Sequence, residues 1–253
     1  EMCIRDSIVE GNDLPDFNPD DEYLQEIKSP IFYAVQKNIN IQTGQPTILD
    51  FDMQRISQRI NIVFNIRTEG NIKREDLAAP IIELSGACGR FNIADACLDT
   101  TRLYRMAHQV QPDEFTQTGE GTYRCVVHFH TLGVIPSAAK GHLNGPGILQ
   151  VALQVSTPQL DSSGAPVVDE EGNPVKNSRY IYGAINPYDE LTAAQLIEVR
   201  DGKIYLRYSK EDVNIEITTP LVIKADQIVP NDTGMGWQPH DPTNPDDDII
   251  IEI

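Results

Sequence analysis

Residues 55–70, with the sequence RISQRINIVFNIRTEG, contain the pattern that decides the fold. Large apolar side chains fall on even positions, and polar side chains occupy most odd ones. The apolar positions are Ile56, Ile60, Ile62, Phe64 and Ile66. Successive side chains of a β-strand point to opposite faces, so this alternation predicts a strand with one face in the core. We expect Ile60, Ile62 and Phe64 to be core residues.

Four further stretches, at 121–133, 147–157, 203–209 and 212–226, alternate in the same way. Clusters of Gly, Pro, Asn and Asp separate them, and such clusters typically form turns. In the second stretch the core positions are predicted to be Val151, Leu153 and Val155. The chain is therefore predicted to be mainly β.

One stretch predicts a helix. It is YDELTAAQLIEVR at 188–200, in which Thr192 and Gln195 have the spacing of a capping box. Leu191, Leu196 and Ile197 could share one face of that helix. We expect a single short helix of two or three turns.

Residues 8–53 differ in composition from the rest of the chain. Residues 8–28 are acidic and loop-like, and 31–53 offer two strands around the turn TGQP. This block is too short to form an independent sandwich. We expect residues 8–53 to be the C-terminal remnant of a truncated N-terminal β-domain, and 54–253 to form the C-terminal domain.

The first seven residues, EMCIRDS, lack the basic patch, apolar run and small-residue cleavage site of an export signal. Back-translated, residues 2–7 match a transposon end sequence that is used to tag DNA fragments for sequencing. We therefore expect residues 1–7 to be a scar that makes no core contact, the alternative being a short native strand. On the scar hypothesis, a signal peptide or lipid-anchor cysteine has been lost with the missing upstream sequence.

The chain is acidic, with 20 Lys and Arg against 38 Asp and Glu and a formal net charge of −18. Nucleic acids and acidic membrane surfaces require a positive footprint, so both are poor partners. No apolar run approaches the roughly 20 residues of a membrane helix.

With Cys3 inside the expected scar, Cys88, Cys97 and Cys125 remain. We expect buried thiols, with a disulfide between Cys88 and Cys97 as the alternative.

Two histidines are the most suggestive candidates for chemistry. His128 and His130 lie two residues apart in VVHFHT, so both rings project from one face of a strand. A metal would need a further ligand, and no spacing selects His108, His142 or an acid for that role. Solvated rings or cross-strand contacts are the preferred interpretation, so we expect no metal and no cofactor.

Other motifs give little support for catalysis. There is no G-x-S-x-G elbow, no G-x-x-x-x-G-K phosphate loop and no G-x-G-x-x-G, so we expect no enzyme. The repeated units DSSGAPV and DEEGNPV at 161–175 predict exposed turns, with calcium as the alternative. The single tryptophan, Trp237, lies in GMGWQPH, where it would either form a ligand platform or plug one end of the fold.

Several stretches, in order, resemble one family. They are residues 29–66, then IIELSGACGRFNIADACLDTTRLYRMAHQV at 81–110, VVHFHTLGVI at 126–135, ILQVALQVST at 148–157, LTAAQL at 191–196, and GMGWQPHDPTNPDDDIIIEI at 234–253. This series resembles the fimbrillin-like surface proteins of Bacteroidales, which include subunits and anchors of type V fimbriae and related outer-membrane lipoproteins.

The resemblance implies antiparallel β-sandwich domains of transthyretin-like or Greek-key type. It also implies export by a lipoprotein signal, a place on the outer membrane or in a fimbria, and a structural or adhesive role without catalysis. Its partners would be other fimbrial subunits, an anchor protein, or a surface glycan or protein. In such pili, subunits join by strand addition. The closing strand places Ile249, Ile251 and Ile253 on one face; we expect it to complete its own sheet, with donation to a neighbour as the alternative.

Two other functions remain open at the level of sequence. The first is a carbohydrate-binding β-sandwich module of a surface glycan-capture system, with Trp237 and nearby tyrosines as the platform. The second is a metal-dependent enzyme that uses His128 and His130.

Overall fold

The computed structural model describes residues 8–10, 22–41, 43–207, 212–224 and 227–240. The expected scar at 1–7 and the closing strand with Ile249, Ile251 and Ile253 lie outside these ranges. Within them the protein is mainly β, with one α-helix and a single 3-10 turn at Arg74–Asp76. No helix in the described part is long and apolar enough to cross a bilayer.

The elements follow the chain in this order: β1 (Ile8–Glu10), β2 (Glu22–Leu24), β3 (Phe32–Tyr33), β4 (Gln54–Arg55), β5 (Gln58–Glu69), β6 (Ile81–Cys88), β7 (Phe91–Asn92), β8 (Cys97–Leu98), β9 (Leu103–Gln109), β10 (Phe115–Gly119), β11 (Thr122–Thr131), β12 (Leu149–Pro158), β13 (Lys176–Ile185), α1 (Tyr188–Ala194), β14 (Ile197–Arg200), β15 (Lys203–Leu206), β16 (Asp212–Lys224), β17 (Gln227–Ile228) and β18 (Gln238–Pro239).

Two large sheets enclose the main core. The first has the strand order β1-β2-β9-β6-β12-β13-β18, and the second has the order β10-β11-β5-β16-β17. One hydrophobic cluster takes side chains from both, including Phe64 of the second sheet and Leu84 and Leu153 of the first. This is the arrangement of a β-sandwich. A smaller sheet, β14-β15-β8-β7, and the pair β3-β4 complete the described structure.

The alternation that opened the sequence analysis is confirmed. Ile60, Ile62 and Phe64 are each 0% exposed, and Val151, Leu153 and Val155 are 0–1% exposed. β11 pairs with β5 antiparallel along ten residues, from Thr122 opposite Arg67 to Thr131 opposite Gln58. Both strands therefore place one set of alternate side chains in the core.

The sheets are not purely antiparallel, which differs from the expected sandwich. β16 runs parallel to β5, and β2 runs parallel to β9. Parallel neighbours need a long crossover connection. The chain supplies one, since more than 140 residues that form most of the other sheet separate β5 from β16.

Part of the 8–53 block packs on the sandwich. β2 joins the first sheet, and Tyr23, Leu24 and Ile27 are buried. The backbone N–H of Ile27 donates to the carbonyl of His130 at 2.9 Å. These residues share the core of the strands that follow residue 54, and the assignment of 8–53 to a separate, truncated domain stays a prediction.

The two strands expected around TGQP do not form in the described residues. The turn is present, with Gly44 at φ +83°, but only Phe32–Tyr33 and Gln54–Arg55 pair at its base. Alternating apolar residues make a stable strand only when a neighbouring strand and a core cover them. Residues 34–41 and 43–53 have neither, and most of their apolar side chains are exposed.

The predicted short helix is confirmed, and it occupies only the first part of the stretch 188–200. α1 begins at Tyr188 and ends at Ala194, so Thr192 lies inside it and does not cap it. Gln195 adopts a left-handed conformation, with φ +52°, that ends the helix. The following residues form the hairpin β14-β15 around Asp201–Gly202, both at positive φ. The dipeptide Asp-Gly between two strands was the sequence signal for this hairpin.

The thiol interpretation of the cysteines is confirmed, since Cys88, Cys97 and Cys125 are all buried and free. Burial raises the pKa of Cys88 to about 12. The turns predicted in the repeat are also present. The carboxylate of Asp161 accepts from the N–H groups of Ser163 and Ala165, and that of Asp169 accepts from Glu171 and Asn173.

Candidate functional site: the open edge of β16

β16 lies near one side of the second sheet. Its first seven residues alternate strictly, with Val213, Ile215 and Ile217 buried in the core and the residues between them exposed. The side chain of Asn214 accepts a hydrogen bond from Asn61 of β5 at 2.8 Å. β5 thus holds β16 along one of its two backbone edges.

The opposite edge of β16 is only partly covered. Among the described residues, the sole strand on that side is β17, which pairs Ile228 with Ile223 and Gln227 with Lys224. The N–H of Val229 adds one bond to the carbonyl of Val222. Within the same ranges, no strand faces residues 212–217 from this side. An uncovered strand edge offers a row of backbone donors and acceptors to an added strand.

A break in the ladder sets the far limit of this open edge. The register of β16 against β5 shifts between Ile217 and Leu221, the part of the strand that contains Pro220. The indole Nε1 of Trp237 donates to the carbonyl of Thr219 at 3.0 Å. Proline is confined to sheet edges and bulges, so Pro220 was the sequence signal that β16 lies at an edge.

Helix α1 forms the second wall of a groove along this edge. Leu191 in the helix and Leu196 after it are 2% exposed and anchor the helix to the main core. A groove of about 440 Å³ runs between Glu190, Ala193 and Ala194 of the helix side and residues 212–216 of β16. The small alanine side chains leave space beside the strand.

The rim of this groove is acidic. Glu190, Asp212 and Glu216 line it, together with the apolar Val213 and Ile215. A strand that enters the groove would gain backbone hydrogen bonds along its length and apolar contacts from alternate side chains. The three carboxylates would favour a strand that carries positive charge.

The structure places the two candidate histidines in different surroundings. His128 Nδ1 lies 2.7 Å from the side-chain oxygen of Asn61, and its Nε2 lies 3.6 Å from a carboxylate oxygen of Glu114. Glu114 also contacts His108 Nε2, at 3.0 Å. Burial, followed by the charge of Arg59, lowers the pKa of His128.

His130 is 8% exposed, and its Nε2 lies 2.9 Å from the hydroxyl of Ser57. That hydroxyl also accepts from the N–H of Ile31, and Arg55 faces the same ring nitrogen at 3.5 Å. His128 and His130 therefore do not converge on a common point. In the described part of the chain, no group of three or more His, Cys, Asp or Glu residues is arranged to hold a metal ion.

Trp237 lies in the core instead of forming a surface platform. It is 1% exposed, and its ring lies 5.2 Å from the ring of Phe64, centroid to centroid. A sugar needs an open ring face for stacking, and neither face of Trp237 is open in this structure. This burial agrees with the plug, which is the commoner arrangement for a tryptophan in such a segment.

Sequence reasoning missed one motif with catalytic spacing. Ser137 and Lys140 form an S-x-x-K unit, which in other proteins pairs a nucleophilic serine with a lysine. Here Ser137 donates to the carbonyl of Ala139, and Lys140 forms an ion pair with Asp189 at 2.6 Å. The hydrogen bond of Ser137 lies within the loop that connects β11 and β12, and the ion pair of Lys140 connects this loop to α1.

Comparisons with known proteins add one structural neighbour. No protein-family model matches the sequence, and no curated protein is significantly similar to it. The fold is similar to the crystal structure of a candidate adhesin from Bacteroides ovatus, with a TM-score of 0.38 and 9% sequence identity. The alignment covers 90% of this chain and 71% of that one. A likeness of this size leaves the function to be inferred from the chain's own geometry.

Proposed function

We propose that the protein is an exported, fimbrillin-like cell-surface protein without catalytic activity. It serves as a structural or adhesive component, or as the anchor, of a type V-like pilus, and it joins its neighbours by β-strand pairing. Its partners are other fimbrial subunits or an anchor protein, and it reaches the outer membrane as a lipoprotein or as part of the fimbria.

The observation that carries this proposal is the open edge of β16. Within the described residues, the β-sandwich leaves six residues of a long strand uncovered beside a groove with apolar walls and an acidic rim, and such a surface is suited to strand addition. Natural proteins usually shield such edges, because exposed edges pair with other chains. An edge kept open is therefore a feature that favours assembly.

The acidic composition agrees with this role. A net charge of −18 keeps the protein soluble before assembly and limits non-specific association. Strand pairing between subunits then occurs at surfaces that expose both backbone hydrogen-bonding groups and apolar side chains. The groove at β16 is one such surface.

The test is the location of the protein in cells that express its gene. Filaments are sheared from the cells, separated from membranes by sedimentation, and probed with an antibody raised against residues 54–240. We expect the protein in the filament fraction, in forms that resist mild detergent and dissociate on heating. Its recovery only in the soluble cell contents would overturn the proposal.

A further inference from the structure

A polar pocket lies at one end of the second sheet. It is formed by the turn that follows β5, the 3-10 turn at Arg74–Asp76, and the hairpin between β10 and β11. Its volume is about 630 Å³, which is in the range of small-molecule sites. It shares no lining residue with the groove at β16. The polar side chains that line it include Asn71, Lys73, Arg74, Gln117 and Glu120.

Backbone contacts and ring packing hold this pocket together. The N–H of Thr68, at the end of β5, donates to the carbonyl of Gly121 in the β10-β11 hairpin at 2.8 Å. The hydroxyl of Thr68 lies 3.4 Å from the carbonyl of Ile72. Tyr123 lines the pocket, is 1% exposed, and packs on Phe115 with 5.6 Å between ring centroids. A ligand would therefore enter a site that is already formed, which lowers the entropic cost of binding.

Arg74 is held in place with one edge of its guanidinium group unused. The group lies over the ring of Phe115, 4.5 Å from its centroid, and Nη1 donates to the carbonyl of Leu77 at 2.7 Å. Within the described structure, Nε and Nη2 of Arg74 have no partner. These two groups form the fork that binds both oxygens of a carboxylate. Since Arg74 lines the pocket, a carboxylate that enters the pocket can reach this fork.

The charge of the lining limits how much negative charge a ligand can carry. Lys73 and Arg74 balance Glu75 and Glu120, so the lining is formally neutral in a chain of net charge −18. Lys73 Nζ lies 3.8 Å from a carboxylate oxygen of Glu75. A ligand with several anionic groups would meet these two carboxylates, which is unfavourable. A ligand with one carboxylate needs only Arg74, and acidic residues beyond about 8 Å are largely screened at physiological salt.

The rest of the lining suits hydroxyl groups. The amides of Asn71 and Gln117 can both donate and accept hydrogen bonds, and the carboxylate of Glu120 can accept them. Of the lining residues, only Ile72 and Tyr123 have large apolar side chains, and Tyr123 is buried. A mainly apolar ligand would gain little here. One carboxylate combined with several hydroxyls is the chemistry of an acidic sugar.

We propose that this pocket binds a carboxylated saccharide, a uronic acid or a sialic acid. Its carboxylate binds to Nε and Nη2 of Arg74, and its hydroxyls bind to Asn71, Gln117 and Glu120. The proposal rests on the adhesive part of the proposed function and names the ligand class and the site.

NMR titration of the isotope-labelled full chain tests the ligand class. Glucuronate and N-acetylneuraminate are the two probes, and glucose and acetate are the controls. We expect the acids to shift the amide signals of Gly70 and Gly121, which line the pocket. Gly164 and Gly172, in the exposed repeat, should not shift. Binding of one acid alone would support the proposal and identify the sugar. Shifts from neither acid, or equal shifts from glucose or acetate, would overturn it.

Variants of Arg74 test the position of the carboxylate. Arg74→Gln should weaken binding of the acid about tenfold to a hundredfold, because a charge-assisted pair is lost. Arg74→Lys keeps the charge but loses the fork, so its loss should be smaller. Arg124→Gln is the matched control, since Arg124 is exposed on β11 and does not line the pocket. Equal weakening by Arg74→Gln and Arg124→Gln would show a general charge effect and would overturn the proposal.

A second variant keeps the test valid if Arg74→Gln impairs folding, which thermal melts of each variant would show. Gln117 is exposed on β10, and Gln117→Ala leaves the contacts of Arg74 intact. It should weaken binding of the acidic sugar, because one hydroxyl partner is removed. Thr118→Ala, at the next exposed position of β10, should leave binding unchanged. Unchanged binding by Gln117→Ala, together with a parent-like melt of Arg74→Gln that still binds, would overturn the site.

Failure of this site can be told apart from failure of the proposed function. Binding is measured on the purified chain, and the pilus role is measured on sheared filaments. A chain that binds the acidic sugar but is absent from filaments keeps the site and loses the pilus role. A chain that is present in filaments but binds neither acid keeps the pilus role and loses the site.

Discussion

Arg105 donates to Glu83 across 2.7 Å, and both side chains are almost fully buried, at 8% and 1% exposed. The hydroxyl of Tyr23 donates to the other carboxylate oxygen of Glu83 at 2.5 Å. Tyr23, Glu83 and Arg105 belong to β2, β6 and β9, so these two hydrogen bonds join three adjacent strands of the first sheet. A buried carboxylate lowers the stability of the folded protein when its hydrogen-bonding partners are removed.

Arg105→Met should therefore lower the free energy of unfolding by about 3–5 kcal/mol, because it leaves Glu83 buried without its cation. The double variant Glu83→Leu with Arg105→Met removes both charges and should recover most of that loss. Urea denaturation of the two variants and the parent measures both values. A double variant as unstable as the single one would show that packing, and not charge, dominates at this position.

Replacing Gly86 should destabilise the protein more than replacing Gly172, because the two glycines share a backbone conformation but only Gly86 lacks space for a Cβ. Gly86 and Gly172 have almost the same φ, +87° and +86°. A Cβ at Gly86 would lie 2.7 Å from the backbone of Gly147 and Ile135, whereas a Cβ at Gly172 would meet nothing within 4 Å. Gly172→Ala should cost about 1–2 kcal/mol of stability, from backbone strain alone. Gly86→Ala should cost a further ~1–3 kcal/mol from overpacking. Equal losses in thermal melts would contradict this account.

Stability should fall as the pH falls below 6.5 because of His130. Burial, and then the nearby Arg55, lowers the pKa of His130. Arg59 lowers it further, while a hydrogen bond from the ring to the backbone of Ile27 and the charge of Asp212 raise it. The unfolded chain binds a proton near the ordinary pKa and the folded chain does not, so the unfolded state gains protons first. The loss begins near pH 6.5 and continues down to the lowered pKa.

The variant His130→Gln should reduce this pH dependence between pH 7 and 5.5, since glutamine keeps a hydrogen-bonding side chain but does not titrate. His128 has a lowered pKa as well and contributes with the same sign. His128→Gln is therefore a second test of the same effect, and both variants should flatten the profile. A profile that His130→Gln leaves unchanged, measured by urea denaturation at each pH, would rule out this role.

Trp237 should matter for stability and not for glycan binding. Trp237→Ala removes a fully buried ring packed on Phe64 and should cost about 3–5 kcal/mol. Trp237→Phe keeps most of the packing but leaves the carbonyl of Thr219 without its indole donor, and should cost less. Denaturation of both variants gives the comparison, and a glycan panel tests the surface hypothesis. Glycan binding by the folded parent that Trp237→Phe abolishes would reinstate the platform.

Much of the fold could be predicted from sequence because one face of each long strand is buried. The period-two pattern of β5 and β12 identifies their core residues correctly. The same pattern misled in residues 34–53, where apolar alternation is present but no partner strand covers it. Periodicity reports which face of a strand is apolar, and it carries no information on what lies against that face.

The candidate site was harder to predict. The sequence shows that β16 is a strand, but its neighbours depend on pairings with residues more than 140 positions away. Pro220 and the Asp-Gly turn at 201–202 were local signals for an edge and for a hairpin that shortens the helix. The burial of Trp237 had no local signal, because a Gly- and Pro-rich flank fits a surface loop and a plug equally well.

The parallel pairing of β5 with β16 also constrains how the protein folds. The hydrogen bond from Asn61 to Asn214 spans 153 positions of the chain. Contacts this distant in sequence carry a large loop-closure cost and slow the folding of β-rich domains. While the chain is being made, β5 has one long apolar face and lacks this neighbour until residues 212–224 have been added. The late arrival of β16 leaves one edge of β5 open to wrong pairings with other strands until the chain reaches residue 212.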